Sequence, residues 1–408
     1  MLKTLRKSLV VLKQPDFRIF AAAGLISGAG DALVPIAFAI ETIRVEPRGW
    51  GMACVLIALW IGRFLSILIY NKIGFKFQSL FMMIYSSLVI CFAQLGLLLW
   101  LYRFENTISA MCVSAFCYGL AIAFFKPAQF VSIPLVTSEA TRSQANSLLS
   151  IIGDVYALVG PLLGASLVIG LGFKSVLIFD VVTFLVAIIL LNFLYSSKTL
   201  ADKDGPENST RQEHGFHVDE LKNLPLWTYL GMLSWLFCSL AIGLMGAAGP
   251  TLVMARHSAS AWAVVATATA TGSLLGSAVS LLGLARKLPW PGLQVLCGLS
   301  LGLELFVLTL PVPVWVVCLA GVAGSLCVTA SAIRWDTIGQ SGFTGKRLHG
   351  FASLDQFVNT AGIPAGMILF GLSGLLGGAT YMTAAVAALA FLFTIPVLLT
   401  TRGGQTLP

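Results

Sequence analysis

Five ionisable residues stand inside long apolar runs: Asp31 in "ISGAGDALVPIAF", Arg63 in "IALWIGRFLSIL", Asp154 in "SIIGDVYALVG", Asp180 in "LIFDVVTFLV" and Glu304 in "GLSLGLELFVL". In a hydrocarbon setting such groups are costly, and they mark polar interiors, ion pathways or substrate sites. A carboxylate there either pairs with a cation or takes up a proton, and the second option is the chemistry of proton coupling. At a rise of about 1.5 Å per helical residue, Asp31, Arg63 and Asp154 lie roughly 20, 13 and 12 Å above the inner membrane face. Arg63 is therefore expected to serve both acids, because an Arg–carboxylate pair is the least costly way to hold both charges in a low-dielectric core. Two readings follow. One is a structural ion pair that locks the first half of the chain. The other is a coupling site in which protonation of Asp31 or Asp154 switches which acid holds Arg63.

The remaining candidates carry less. Glu304 sits near mid-span with no evident partner and is counted with the cavity residues. Asp180 lies about two turns below the outer face and is expected to snorkel outward. Lys126, in "FFKPAQF", is near an inner helix end, where its stem reaches water or points into a central cavity and attracts an anionic substrate. His214, His217, His257 and His349 are read as solvated. The eight cysteines lie almost entirely in apolar runs, with no CxxC pair and no metal spacing, so they are read as small apolar fillers. No metal and no cofactor are expected.

The elements that hold these residues follow from composition. The 408 residues are 57% hydrophobic and 10% charged, against about 25% charged in soluble domains. Apolar stretches of about 20 residues recur along the chain, each long enough to cross a hydrocarbon core of roughly 30 Å. The ten-residue alternation of a membrane β-barrel is absent, so the spans are helices. Twelve are read, at 17–43, 51–71, 78–102, 107–131, 146–171, 174–196, 225–254, 260–285, 291–310, 312–334, 350–372 and 376–400. The fold class is all-α integral membrane, twelve transmembrane helices in two six-helix bundles. Residues 1–195 form the first bundle, the polar stretch 196–224 a cytoplasmic linker and 225–408 the second bundle.

The net charge of +8 is an orientation signal and not a nucleic-acid surface. With the first residue inside, 19 of the 25 lysines and arginines fall on the inner side, and the positive-inside rule then puts both termini in the cytoplasm. The start "MLKTLRKSLVVLK" is read as a short basic segment on the inner face, since Lys13 interrupts its apolar core. The loop "GQSGFTGKRLHG" at 339–350 holds Gln340 and Arg347 where a phosphate-binding loop needs glycine and Ser/Thr, which argues against ATP hydrolysis. Paired catalytic residues such as HxxxH or DxxD are absent, so an intramembrane enzyme is disfavoured. A layout of six plus six spans is that of carriers built from repeats, with the substrate held near the midplane between halves.

Three stretches carry a family resemblance: "FRIFAAAGLISGAGDALVPIAFAI" in the first span, "AFFKPAQFVSIPLVTSEATRSQANSLLSIIGDVYALVGPLLGA" across spans four and five, and "RLHGFASLDQFVNTAGIPAGMILFG" in span eleven. They resemble the major facilitator superfamily, and within it the drug:proton antiporters that include macrolide-efflux and enterobactin-exporter proteins. The antiporter motif Gly-Pro-x-x-Gly-Gly is matched by Gly160, Pro161 and Gly164, with Ala165 in place of the last glycine. The superfamily loop between spans two and three, glycine, three residues, then Asp-Arg-x-Gly-Arg-Arg, appears as Ile67 followed by Asn71, Lys72, Ile73, Gly74, Phe75 and Lys76. The acid that latches this loop to a neighbouring helix end is thus missing.

The resemblance implies proton-driven export, with spans 1, 2, 4, 5, 7, 8, 10 and 11 around the cavity and spans 3, 6, 9 and 12 behind them. It favours Asp31, Arg63 and Asp154 as cavity residues over Asp180 and Glu304, with Lys126 kept beside them from its own position, and gating is assigned to Gly160, Pro161, Gly164, Asn71, Lys72 and Gly74. The expectation is a monomeric secondary transporter of the cytoplasmic (inner) membrane. It exports an amphipathic small molecule, a siderophore or antibiotic, in exchange for protons, with the lipid bilayer as its surroundings and no nucleic-acid partner. An importer or a lysophospholipid flippase on the same fold is the alternative. A non-transporting membrane sensor is another, and would need no proton-linked acid.

Overall fold

Each apolar run folds into a helix because the backbone must satisfy its own hydrogen bonds away from water. The computed structural model describes residues 9–46, 50–73, 77–105, 107–203, 224–375, 378–395 and 397. It contains α1 (Pro15–Val45), α2 (Trp50–Ile73), α3 (Ser79–Arg103), α4 (Ile108–Val136), α5 (Arg142–Leu171) and α6 (Phe173–Lys203). The second half contains α7 (Leu226–Arg256), α8 (Ala259–Leu281), α9 (Trp290–Thr309), α10 (Val314–Gly342), α11 (Gly345–Leu375) and α12 (Ala379–Leu392). Local signals set the ends. Pro15 opens α1, the Thr107 and Ser258 hydroxyls accept from Ala110 N and Ala261 N to cap α4 and α8, and α5 stops at Gly172, whose φ is +86°.

Ten of these helices are long and apolar enough to span a membrane. The twelve-helix expectation holds, with shifted ends. The larger shifts are in α10, which runs to Gly342 and not to 334, and α12, which spans Ala379–Leu392 and not 376–400. The start of the expected linker continues α6 through Lys203, and 204–223 lie outside the described residues.

The second six helices repeat the packing partners of the first. The close pairs α2–α4, α1–α5, α1–α6, α3–α4 and α3–α6 return as α8–α10, α7–α11, α7–α12, α9–α10 and α9–α12. This is the internal repeat that sequence comparison of the halves does not reveal. Large apolar side chains such as Ile169, Ile189, Phe193, Trp315 and Leu319 are exposed around the outside, as a bilayer solvent permits. Contact between the halves is made by α2, α4, α5, α8, α10 and α11, while α3, α6, α9 and α12, the expected supporting helices, pack within their own half; α1 and α7, expected among the lining helices, are not part of this contact.

Hydrogen bonds across the halves gather at one end, here called the base, which carries the start of α1 and the α2–α3, α4–α5, α8–α9 and α10–α11 turns. Asn146 Nδ2 donates to Thr337 Oγ1 (3.1 Å) and Gln340 Oε1 (2.9 Å), and Arg142 donates to the Gln340 carbonyl (3.0 Å). Tyr70 Oη meets His349 Nδ1 at 3.1 Å. Among the described residues no hydrogen bond joins the halves beyond Asp154 toward the opposite end. The base is shut.

Candidate functional site

The N-terminal half has two apolar cores with a polar layer between them. The basal core contains Phe17, Phe20, Ala23, Cys91, Ala121 and Val181, and the distal one Leu33, Leu97, Ala115 and Leu177. The residues skipped between them are Ser27 and Asp31 on α1, Gln94 on α3, Ser114 and Tyr118 on α4, and Asp180 on α6. A layer of this kind is retained only where polar groups have a task or a partner.

Asp31 is the centre of it. Tyr118 Oη donates to Asp31 Oδ1 at 2.5 Å, and Arg63 and Lys126 are within electrostatic range. The glycines around Asp31 make room for this. A methyl group at Gly28 would meet the Tyr156 ring at 2.8 Å, and one at Gly30 would collide with Asp180 and Thr183. The Tyr156 hydroxyl in turn donates to the Leu25 carbonyl. Asp31 also lines a cavity of about 530 Å³ between α1, α4 and α5, together with Pro35, Ile36, Lys126, Tyr156 and Pro161. Asp31 and Lys126 thus share one cavity, whose walls come from the first half. Lys126 is exposed into it and also lines a second cavity, of about 290 Å³, on the basal side.

The expected sharing of Arg63 is not found. No ion pair joins Arg63 to Asp31 or Asp154. The guanidinium stacks 4.9 Å from the Trp60 ring and its Nε has no partner. Asp154 is on the other side of the half, because α5 packs on α1 and α8 while α2 packs on α4 and α11. Its Oδ1 accepts from Ser273 Oγ (2.6 Å) and its Oδ2 from Ser277 Oγ (2.6 Å), both on α8. Ser273 also meets Thr329 at 2.8 Å, and Ser277 meets Ser150 at 2.7 Å. Asp154 is therefore a clasp between the halves.

Three further expectations need correction. Asp180 does not snorkel. It is fully buried against Gly30, neither carboxyl oxygen has a hydrogen-bond partner, and Gln94 is close without completing one. Glu304 does not reach the cavity. Its helix α9 is a supporting helix, and its carboxyl points into the notch left by Gly321 and Gly324 on α10, with Oε1 unpartnered. His349 is not solvated but bridges to Tyr70, whereas His257 is exposed as expected. His214 and His217 lie outside the described residues.

Among the gating candidates, Gly160 and Gly164 seat α5 on α1. Methyl groups there would meet the Ala32 and Leu33 carbonyls at 2.8 and 3.0 Å, and Pro161 lines the cavity. Asn71 and Lys72 are in the last turn of α2, and Gly74 lies outside the described residues.

Sequence reasoning missed Asp336 and Asp355. Both line the 290 Å³ basal cavity, from α10 and α11. Asp355 is held by Trp335 Nε1 (2.8 Å) and Asn359 Nδ2 (3.3 Å), and Asn359 Oδ1 accepts from Ser239 (2.9 Å). The signal was available. Asp336, in "IRWDTIG", stands just past the expected end of span ten, and extending that span by a turn would have placed it inside the membrane; Asp355, in "FASLDQF", already lay within span eleven, 350–372, and was passed over.

The comparisons with known proteins agree with this architecture. The sequence profile described as Major Facilitator Superfamily matches residues 9–340. Among curated proteins none is significantly similar in sequence. A bacterial homologue of the iron transporter ferroportin in an outward-facing state superposes with a TM-score of 0.75 at 16% identity, covering 94% of this chain and 99% of that one. The E. coli fucose:proton symporter superposes at 0.68 with 13% identity, covering 96% and 98%. A human organic anion transporter superposes at 0.70 with 14% identity, covering 94% and 99%.

Proposed function

The chain belongs to the Major Facilitator Superfamily and is a multi-pass membrane transporter, and from that premise we propose that it moves an amphipathic small molecule through the central cavity in exchange for protons. The observation that carries this reading is Asp31, a carboxyl on the wall of a 530 Å³ cavity, bonded by Tyr118 and accompanied by Lys126. An acid at that place can give up or take a proton while the cavity is open, and its pairing with nearby groups changes as the cavity fills. The cavity wall supports an amphipathic cargo, since Pro35, Ile36, Ala157 and Pro161 stand beside Lys126 and Asp31.

The excess of basic residues in the basal loops supports a cytoplasmic base. In that orientation the shut base makes this the outward-open state, both termini and the 204–223 linker are cytoplasmic, and the membrane is the cytoplasmic one. Export is the direction that fits the sequence resemblance to macrolide and enterobactin exporters.

Inverted membrane vesicles carrying a pH gradient test this. A macrolide and a catecholate siderophore are added, and collapse of the gradient is followed with a pH-sensitive dye. Gradient collapse on addition of a cargo, lost in Asp31→Asn at equal membrane abundance, is the expected result. Transport by Asp31→Asn with unchanged pH dependence removes Asp31 from the coupling role. Cargo movement only into right-side-out vesicles reverses the direction.

A further inference from the structure

The two cavities meet at Lys126 and differ in chemistry. The upper one is walled mainly by small and apolar groups, Gly28, Ala32, Pro35, Ile36, Ala157 and Pro161. The lower one, about 290 Å³, lies between the halves and is lined by Lys126, Gln129, Asn146, Ser150, Asp336 and Asp355. Its floor is the basal closure itself, where Asn146 bonds Thr337 and Gln340 and the Gln340 amide donates to the Phe130 carbonyl at 3.3 Å. The charges in this chamber are split by half: the ammonium comes from α4, the two carboxyls from α10 and α11.

These groups do not satisfy one another. No ion pair joins Lys126 to Asp336 or Asp355. Asp355 is held by Trp335 and Asn359. Asp336 makes no hydrogen bond and faces the chamber with Asp355 within electrostatic range behind it. A carboxyl and an ammonium thus face one small chamber from opposite walls with no ion pair between them. One molecule bearing both signs can bridge the two walls.

We propose that the cargo is a zwitterionic amphipath, with its cationic group on Asp336, its anionic group on Lys126 and its apolar body in the upper cavity. Asp355 positions the cationic group through its charge, and Gln129 offers amide contacts beside Lys126. This rests on the reading of the chain as a carrier with a central cavity. It names the cargo class and says nothing of proton coupling or direction.

Binding without any gradient separates the two questions. Three probes on one skeleton are compared on the protein in lipid nanodiscs: 3-(2-naphthyl)alanine, which is zwitterionic, 2-(2-naphthyl)ethylamine and 3-(2-naphthyl)propanoic acid. Binding is read from naphthyl fluorescence. The zwitterion is expected to bind at least tenfold more tightly than either relative. Asp336→Asn should erase its advantage over the acid, and Lys126→Gln its advantage over the amine. The split is a signature that general damage to the fold cannot produce, and thermal melting of both variants checks that they fold. Binding of the amine or the acid as tight as that of the zwitterion overturns the proposal. So does binding of none of the three, or an equal loss for all three in both variants. Failure of the vesicle experiment with this result intact would overturn the coupling reading alone.

Discussion

The clasp between α5 and α8 predicts a defined shift in conformational balance. Asp154 receives two hydroxyl donors from the opposite half, each at 2.6 Å. A hydrogen bond to a charged group contributes about 1.5–3 kcal/mol where water is excluded. Asp154 is half-buried, and opening the base admits water that replaces part of each bond, so the net value per bond is about 1 kcal/mol. Ser277→Ala should therefore lower the ratio of base-closed to base-open protein about fivefold, and Ser273→Ala with Ser277→Ala about thirtyfold, at about 2 kcal/mol. A ratio of about 100:1 would fall to about 3:1, a population that is directly visible.

Pulsed electron-spin distance measurement reads it. Spin labels are placed at Glu139→Cys and Thr344→Cys, exposed positions at the base on opposite halves, after replacement of the eight native cysteines. A second, longer distance should appear in the double-alanine variant and be minor in the single one. Ser166→Ala is the control, because that hydroxyl bonds only its own helix at the Leu162 carbonyl, 2.8 Å away. An unchanged distance distribution in the double variant refutes the clasp as a closing element.

Two further outcomes follow from the packing. Tyr118→Phe strips the donor from Asp31 and should cost about 1–3 kcal/mol, seen as a lower melting temperature, and Asp31→Asn in the same chain should restore most of it; an additive double-mutant cycle would show that the two do not interact. Gly324→Ala forces a methyl group onto the Glu304 carboxyl and should reduce folded yield, whereas Gly324→Ala with Glu304→Ala should recover it; no recovery would mean that the notch serves another contact.

The helices were legible in the sequence because a bilayer makes the signal a matter of length and apolarity, and each of the twelve runs became one helix. Asp31 stood out for the same reason: a carboxylate directly after Gly28-Ala29-Gly30 in an otherwise apolar span has few explanations. Partners were not legible. Depth along a helix can be counted at about 1.5 Å per residue, but the face of the helix and its neighbour cannot, so Asp154 was matched with Arg63 by height although α8 is its neighbour. Tyr118 was hidden by its type, since a tyrosine in an apolar helix reads as packing until something places a carboxylate on its hydroxyl. Asp336 was lost at the end of span ten, where Arg334 drew the boundary too early, and Asp355 was overlooked inside span eleven, one turn above its basic start.

The missing acid of the loop after α2 gains an explanation from how the base is shut. The resemblance implies an acid there that latches a helix end, and the chain has Asn71. In its place a cation works from another loop. Arg142, the first residue of α5, donates to the Gln340 carbonyl in the last turn of α10, with Ser341 at 3.4 Å. A helix C-terminus carries unsatisfied carbonyls and a partial negative charge, so a guanidinium there is favoured as an acid is at an N-terminus. A second guanidinium, Arg286 after α8, donates to Ser143 Oγ at 3.3 Å, and the other contacts are neutral: Asn146 with Gln340 and Thr337, and Tyr70 with His349. Neutral hydrogen bonds contribute about 0.5–1.5 kcal/mol each and lose little when water takes over. A base held this way closes firmly through several weak contacts and opens without stranding a buried charge. Asp154, the acid of the clasp, leaves two serine hydroxyls for water on opening. That makes the α5–α8 clasp, and not the loop after α2, the contact whose loss on opening uncovers a carboxyl.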